Sequence, residues 1–546
     1  MTEDTTPTTP DAPESPEAAP KASRRHIIRP KWLRITLKTL MWILIALVLL
    51  PLLLYIPPVQ TLVKNVACDM VYKSTGMKVE IDRFRLKFPL DVSLQGVTVL
   101  DVHRDTMVSA REALLDVKML PLLALDVKIN KLKLSQGYYR MVSPDSSMVL
   151  TVRAGLLDTD DKARANMRTG EITLNKALLR DGNLQLYMNV WKQKPTPPDT
   201  AKSTPFRIKA EDLKLENFTF GMSMLPTIDT LSLKARDISL KKGVVDLGKN
   251  KVSWKLASVA GGSGRYLTPD PKWAAEHPAP PAQPSSGPPM VISGDSISLD
   301  EFAMIYAVRD AKPLPGFDAS YISVKDVAIG MRGFYNESST VRLPITRLQA
   351  RERSGLEIVR GQGIIGVDST GLSLKDINIS TLYSKIAGDA AIPFALMELK
   401  PDAPVDVSVT TRLGMPDIDA FMPSLKEYTK LLPARNPLDA TLEAHGTLAS
   451  VDVETLEAEL RDVLSISASG YADNALDIKR LAAQLDFEGE LSDPRLIDRF
   501  TGESGIKVPA FRIEGNAEAS NQTYGADFRF TSTAGNAEGR GKVSLN

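Results

Sequence analysis

Four histidines, one cysteine and scattered carboxylates are the groups with which this chain could do chemistry. Metal binding and acid–base catalysis need such groups at short, fixed spacings. His26 lies in a basic segment, His277 in a proline-dense stretch, His103 near a turn and His445 in a strand pattern; none has a Cys, Asp or Glu partner at a ligand spacing. Gly361-Gln362-Gly363-Ile364-Ile365-Gly366 matches a dinucleotide fingerprint as a string. A phosphate site needs a helix N-terminus behind those glycines. Val367-Asp368-Ser369-Thr370 leads instead into another strand, so the glycines read as turn or close-packing positions. Gly261-Gly262-Ser263-Gly264 lacks the fifth-position glycine of a nucleophile elbow. Asp158, Asp160 and Asp161 resemble a calcium loop, but Ala163 stands where glycine is needed. No catalytic constellation, cofactor site or metal site emerges, and the chain reads as a non-enzyme. Cys68 is alone, so no intrachain disulfide can form, and it reads as a small core residue.

What repeats is an apolar alternation with one slip in its middle. It occurs at Val79, Ile81, Phe84, Leu86 and at Val127, Ile129, Leu132, Leu134. It returns at Ile208, Ala210, Leu213, Leu215, at Ile322, Val324, Val327, Ile329, and at Leu372, Leu374, Ile377, Ile379. Further copies begin at Ile172, Leu233 and Ile297, with weaker ones at Val451 and Leu476. Period-two alternation gives a strand one apolar face and one wet face. The slip places two polar neighbours together, such as Asp82-Arg83, Asp300-Glu301 and Lys375-Asp376. An inserted residue is the sequence signature of a β-bulge, which bends a sheet. The dyads lack the Asn-Gly or Asp-Gly chemistry of tight hairpins. The pattern predicts a mainly β chain of about 30 bent strands laid side by side, a ladder of about 140 Å.

The elements in front of these strands differ. Residues 1–38 read as a disordered tail with a basic cluster at Arg24, Arg25, Arg29, Lys31, Arg34 and Lys38. Residues 39–57 read as one transmembrane helix, with Leu40, Trp42, Leu47, Leu54 and Tyr55 as anchor residues. Pro57-Pro58 stands where a cleavage site would be needed, so the segment reads as an uncleaved anchor. The positive-inside rule puts the tail in the cytoplasm and the bulk of the chain outside. Residues 58–76 read as an amphipathic helix that caps the first strands or, alternatively, lies on the membrane surface. Strands are expected over 77–415, with proline-rich exposed insertions near 193–205 and 268–289, and again over 435–546. A helical insertion is expected at 416–434 and another helical turn near 495–500. A strand pattern still under way at the end suggests the front part of a longer protein. A net charge of +1 gives no reason to expect nucleic acid.

The order of these parts resembles the start of the AsmA-like family, and within it the TamB type, the inner-membrane part of the translocation and assembly module. The residues that carry the resemblance are Pro57-Pro58-Val59-Gln60, Gly76-Met77-Lys78-Val79-Glu80-Ile81, Phe84-Arg85-Leu86, Leu94-Gln95-Gly96-Val97-Thr98-Val99 and Gly446-Thr447-Leu448. The resemblance implies an elongated, curved, open β-sheet, U-shaped and apolar inside, in the periplasm of a diderm bacterium. It implies phospholipid acyl chains as cargo and a BamA-like outer-membrane protein as a partner. Two functions follow as expectations: an inner-membrane-anchored lipid-transfer conduit, or a scaffold for outer-membrane protein assembly. A secreted glycan hydrolase is disfavoured by the 6% aromatic content.

Overall fold

A computed structural model describes residues 38–43, 45, 53, 55–87, 91–117, 126–160, 162–166, 169–192, 206–278, 288–397, 399–433, 435–474, 477, 479–501, 508–520 and 522–544. Residues Met1–Val59 and Gln60–Asn546 form separate units. In the first, Leu40, Met41, Trp42 and Ile43 are helical and exposed, and Tyr55 sits in a turn. The tail and much of the expected 39–57 span, Leu47 and Leu54 included, lie outside the described residues. Among the described residues no helix is long and apolar enough to cross a membrane.

Of the described residues 66% are in strands and 13% in helix, and the strands form one long curved mixed sheet. Among the described residues the sheet has 24 strands, where the sequence pattern predicts about 30. Several strands are long: β7 (Glu171–Asn189) and β8 (Arg207–Leu225) each run for 19 residues. β1 (Lys78–Lys87), β2 (Asp91–Leu100), β3 (Thr106–Val117), β4 (Asp126–Val142) and β5 (Met148–Thr159) form an antiparallel meander. β7 joins β5, and the four-residue β6 (Ala163–Asn166) bridges β4 and β7. Two ladders are parallel: β7 with β8, and β10 (Lys251–Thr268) with β11 (Val291–Val308). β9 (Thr230–Asp246) lies antiparallel between β8 and β10. From β11 onward each strand pairs antiparallel with the next, through to β24 (Gly535–Ser544).

Parallel neighbours require the chain to return along the full strand length. The two proline-rich segments are those returns. Residues 193–205 lie outside the described residues, between β7 and β8. The 268–289 segment is not wholly extended: a short helix α2 (Pro271–Glu276) interrupts it, capped by Asp270, which accepts from Lys272 N at 2.8 Å. Proline at its first position suits a helix start.

Helix α1 (Pro57–Thr75) runs beside β1. Gln60 Nε2 donates to Leu86 O, and Lys64 Nζ donates to Ile81 O, each at 3.0 Å. The expected insertion at 416–434 is helical but broken. It comprises α3 (Met415–Phe421), a 3-10 turn Pro423–Leu425 and α4 (Lys426–Thr429), because Pro423 cannot donate into a continuing helix. Met415 packs with Leu460, Val463, Leu491 and Leu496, the last from α5 (Arg495–Thr501), in a buried cluster at one rim of the sheet. Of the weak repeat at 476–483, positions 476 and 478 lie outside the described residues; Arg480 N donates to Asp477 O in a turn, and β21 (Ala482–Leu491) begins at Ala482.

The slips are real; some are bulges, but along one line across the first eleven strands they are not. Asp82, Gly96, Arg111, Gln136, Gly155, Asp181, Asn217, Arg236, Gly261 and Glu301 fall opposite one another from β1 to β11, and the register passes through them unshifted. Gly96, Gln136, Asp181, Asn217, Gly261 and Glu301 take positive φ values of 49–70°. Each strand changes face at the same line, so no partner needs an extra residue. Register shifts appear away from that line, at Asp116/Val117 opposite the Asn130 slip and, from β11 onward, at Leu299/Phe302, Lys325/Ala328 and Leu374/Ile377 among others. There the slip in one strand meets an unslipped neighbour, which is a bulge.

Candidate functional site

Because the slips align, the apolar positions of neighbouring strands stay on one face. One row crosses the sheet without a break. It begins at Phe84 and passes Leu94, Ala113, Leu134, Leu157 and Leu179 to Leu215. It continues through Ile238, Val259, Leu299, Ile329, Leu348, Gly361, Ile379 and Ile386 to Thr411. It ends through Ala440, Ala458, Ile466, Gly489, Ile513 and Phe530 at Ala537. Every strand but β6 contributes one residue, and only Thr411 is polar.

The sequence-predicted positions have these partners in the ladder. Ile81 stands beside Val97, Leu86 beside Val92, and Val79 beside Val99. Leu132 stands beside Leu115. Leu213 pairs with Leu240, which pairs with Ala257 and then Ile297. Ile208 stands beside Val245, Ile322 beside Tyr306, Val324 beside Met304, Leu372 beside Ile392 and Leu374 beside Ala390. Val127 and Ile129 take their places in the backbone ladder beside Ala165 and Ala163, with side chains outside the described set. The described members are half-buried, covered only by flanking side chains. Fully buried positions on the face are mostly small, such as Ala110, Ala113, Ala154, Ala177 and Ala210. Among the described residues no second sheet lies over them.

Sequence reasoning missed most of β10, where Trp254, Val259 and Tyr266 share the face with Gly262 and Gly264. Glycines interrupt the apolar spacing there, yet they make room for neighbours. A Cβ on Gly294 would collide with the Trp254 indole, which lies over it and stacks on Phe334 at 5.8 Å. A glycine facing a large apolar residue one strand away is the signal that could have found them. At the far end of β10, Tyr266 donates to Asp229 Oδ1 at 2.9 Å; burial, with that carboxylate, raises the phenol pKa.

The opposite face is polar and charge-paired across strands. Arg180 meets Glu216 at 2.8 Å, Arg412 meets Asp439 at 2.6 Å, and Arg529 meets both Glu514 and Glu538. The hydrogen-bonded Lys542 ammonium holds the Glu518 carboxyl below the usual range. A depression of about 620 Å³ on this face is lined by Arg85, Glu112, Lys131 and Lys133 among others, and is a gap between long charged side chains. His445 Nδ1 sits 2.9 Å from Asp406 Oδ1 on the neighbouring strand. Among the described residues no cluster of three or more His, Cys, Asp or Glu could hold a metal ion. Gly361 and Gly363 lie inside β14 (Glu357–Val367), against Leu348 and Ile377. Asp160 is held by Asn175 Nδ2 at 2.6 Å and Lys176 N at 3.1 Å.

No protein-family model matches the chain, and no curated protein matches it in sequence.

Proposed function

We propose that this chain is a lipid-transfer conduit, anchored by one span in the inner membrane of a diderm bacterium. Its periplasmic sheet carries phospholipid toward the outer membrane with acyl chains on the apolar face. The observation that carries the reading is the row from Phe84 to Ala537, apolar but for Thr411 and uncovered by any second layer among the described residues. An apolar surface of that extent is costly in water. Acyl chains laid on it recover about 0.8 kcal/mol per buried methylene. The buried alanines fit a hollow, U-shaped face where larger side chains converge. A uniform surface without deep pockets suits sliding better than fixed binding, and transfer needs no catalytic group. The sequence resemblance to AsmA-like proteins supports the compartment and the cargo.

The test is mass spectrometry of the full chain purified in mild detergent, beside an Ile208→Glu, Leu374→Glu double variant. Phospholipid retained by the parent and lost from the variant is the expected result. A parent that retains no more lipid than the variant overturns the reading. Cross-links from a sheet edge to outer-membrane protein strands, on a lipid-free sheet, would favour the assembly scaffold acting with a BamA-like partner.

A further inference from the structure

Helix α1 turns its polar stripe, not its apolar one, toward the sheet. Gln60 and Lys64 donate to β1 carbonyls, and Cys68, one turn further on, is half-buried. At about 100° per residue, Leu62, Val63, Val66 and Met70 form a second stripe centred roughly 130° around the helix. Leu62 is 62% exposed, Val66 51% and Met70 65%. An amphipathic helix in a globular fold does the reverse and buries its apolar side. The polar stripe already serves β1, so the apolar stripe awaits a different neighbour.

We infer that this stripe lies in the interfacial layer of the bilayer, with α1 flat on the membrane and β1 held beside it. The chain that leads into α1 supports this occupant. Residues 40–56 carry no charge and are almost wholly aliphatic, and Pro57-Pro58 joins them directly to the helix. The stripe ends at the exposed Asp69–Lys73 ion pair of 2.6 Å, and Arg104 stands 6.0 Å over the Tyr72 ring. Charged and aromatic groups of this kind belong at headgroup level. The first strand of the apolar face then starts at the membrane surface, where a lipid leaving the bilayer would enter. The inference rests on the anchored half of the reading above and not on lipid transfer itself.

The experiment uses the full chain with Cys68→Ser and single cysteines from Val66→Cys, Met70→Cys or Asn65→Cys. Each carries an environment-sensitive fluorophore and is reconstituted into vesicles of phosphatidylethanolamine and phosphatidylglycerol. Doxyl groups near the headgroup end of the acyl chains should quench the labels at 66 and 70 several-fold more than the label at 65. Iodide in the water should show the opposite order. A chain that floats with the vesicles but leaves positions 66 and 70 open to iodide overturns the inference alone. Labels shielded from both quenchers mean a protein neighbour, a second copy included, and also overturn it. A chain that does not float overturns the inference together with membrane anchoring.

Discussion

Arg236 on β9 reaches across the whole of β10 to Glu301 on β11, with Nη2 3.1 Å from Oε2. The residue it crosses is Gly261, at φ +70°, where an added Cβ would lie 2.6 Å from the Arg236 Cζ. Three strands thus meet in one line of slipped positions, and the glycine leaves the arginine its path. The same line keeps the apolar rows in phase from strand to strand.

Gly261→Ala should therefore loosen β9 to β11 locally. A left-handed alanine costs about 1–2 kcal/mol, and the arginine must also move. Glu301→Gln removes only an exposed ion pair, worth under about 1 kcal/mol. Hydrogen exchange should show faster opening over Lys251–Thr268 in the glycine variant and little change in the glutamine one.

Charge on the apolar face should cost lipid more than stability. Ile208 and Leu374 are only half-buried, so a carboxylate there keeps its water and forfeits about 1 kcal/mol of side-chain burial. Lipid content by mass spectrometry should fall severalfold in either glutamate variant, with the far-ultraviolet circular dichroism melt nearly unmoved.

Much of this fold was legible because alternation is a local signal. The dyad Asp300-Glu301 marks a slip without reference to any other strand. Whether a slip becomes a bulge depends on the neighbour. Glu301 aligns with Gly261 on one side and meets a shifted β12 (Tyr321–Glu337) on the other. No spacing within one strand carries that information. Trp254 was missed because its room comes from Gly294, some forty positions later and one strand away. Which stripe of α1 meets β1 could not be read, because hydropathy cannot tell that β1 carbonyls would take Gln60 and Lys64 as donors.

Asp417 holds α3 to the turn between β15 (Gly371–Thr381) and β16 (Lys385–Pro393). It accepts from Ser384 Oγ at 2.6 Å and from Thr381 Oγ1, and it is 7% exposed. Asp417→Ala takes the acceptor from the Ser384 hydroxyl and leaves Thr381 Oγ1 only the longer bond to Ser384 O at 3.3 Å, a loss of about 1–3 kcal/mol. Exchange over Met415–Phe421 should accelerate, while that over Lys78–Lys87 stays as in the parent.

The loop between β11 and β12 should weaken in acid. The Ser320 hydroxyl, then the amides of Leu314 and Ser320, hold the Asp318 carboxyl below the usual range. Its folded value lies under its unfolded one, so its contribution is complete above about pH 4 and fades as pH falls through the folded value. Protection factors at Leu314 and Ser320 should drop in that window. In Asp318→Asn they should be lower already at neutral pH and insensitive to acid.

The connection from β7 to β8 has little slack. Glu171 pairs with Arg207 and Asn189 with Leu225, so the chain must return over 18 residue steps of strand, about 59 Å at 3.3 Å each. With Val190–Lys192 wound into a 3-10 turn, residues 190–206 could supply about 60 Å at full extension of the remainder. Deleting five of them leaves about 42 Å, too short for the parallel register. Asn183 Nδ2 and Thr219 Oγ1, 2.6 Å apart, report that register. In a Cys68→Ser background, Asn183→Cys and Thr219→Cys should form a disulfide in the full-length connection and fail to form it in the shortened one. A disulfide that forms equally well in both would show that the strands pair without the full return.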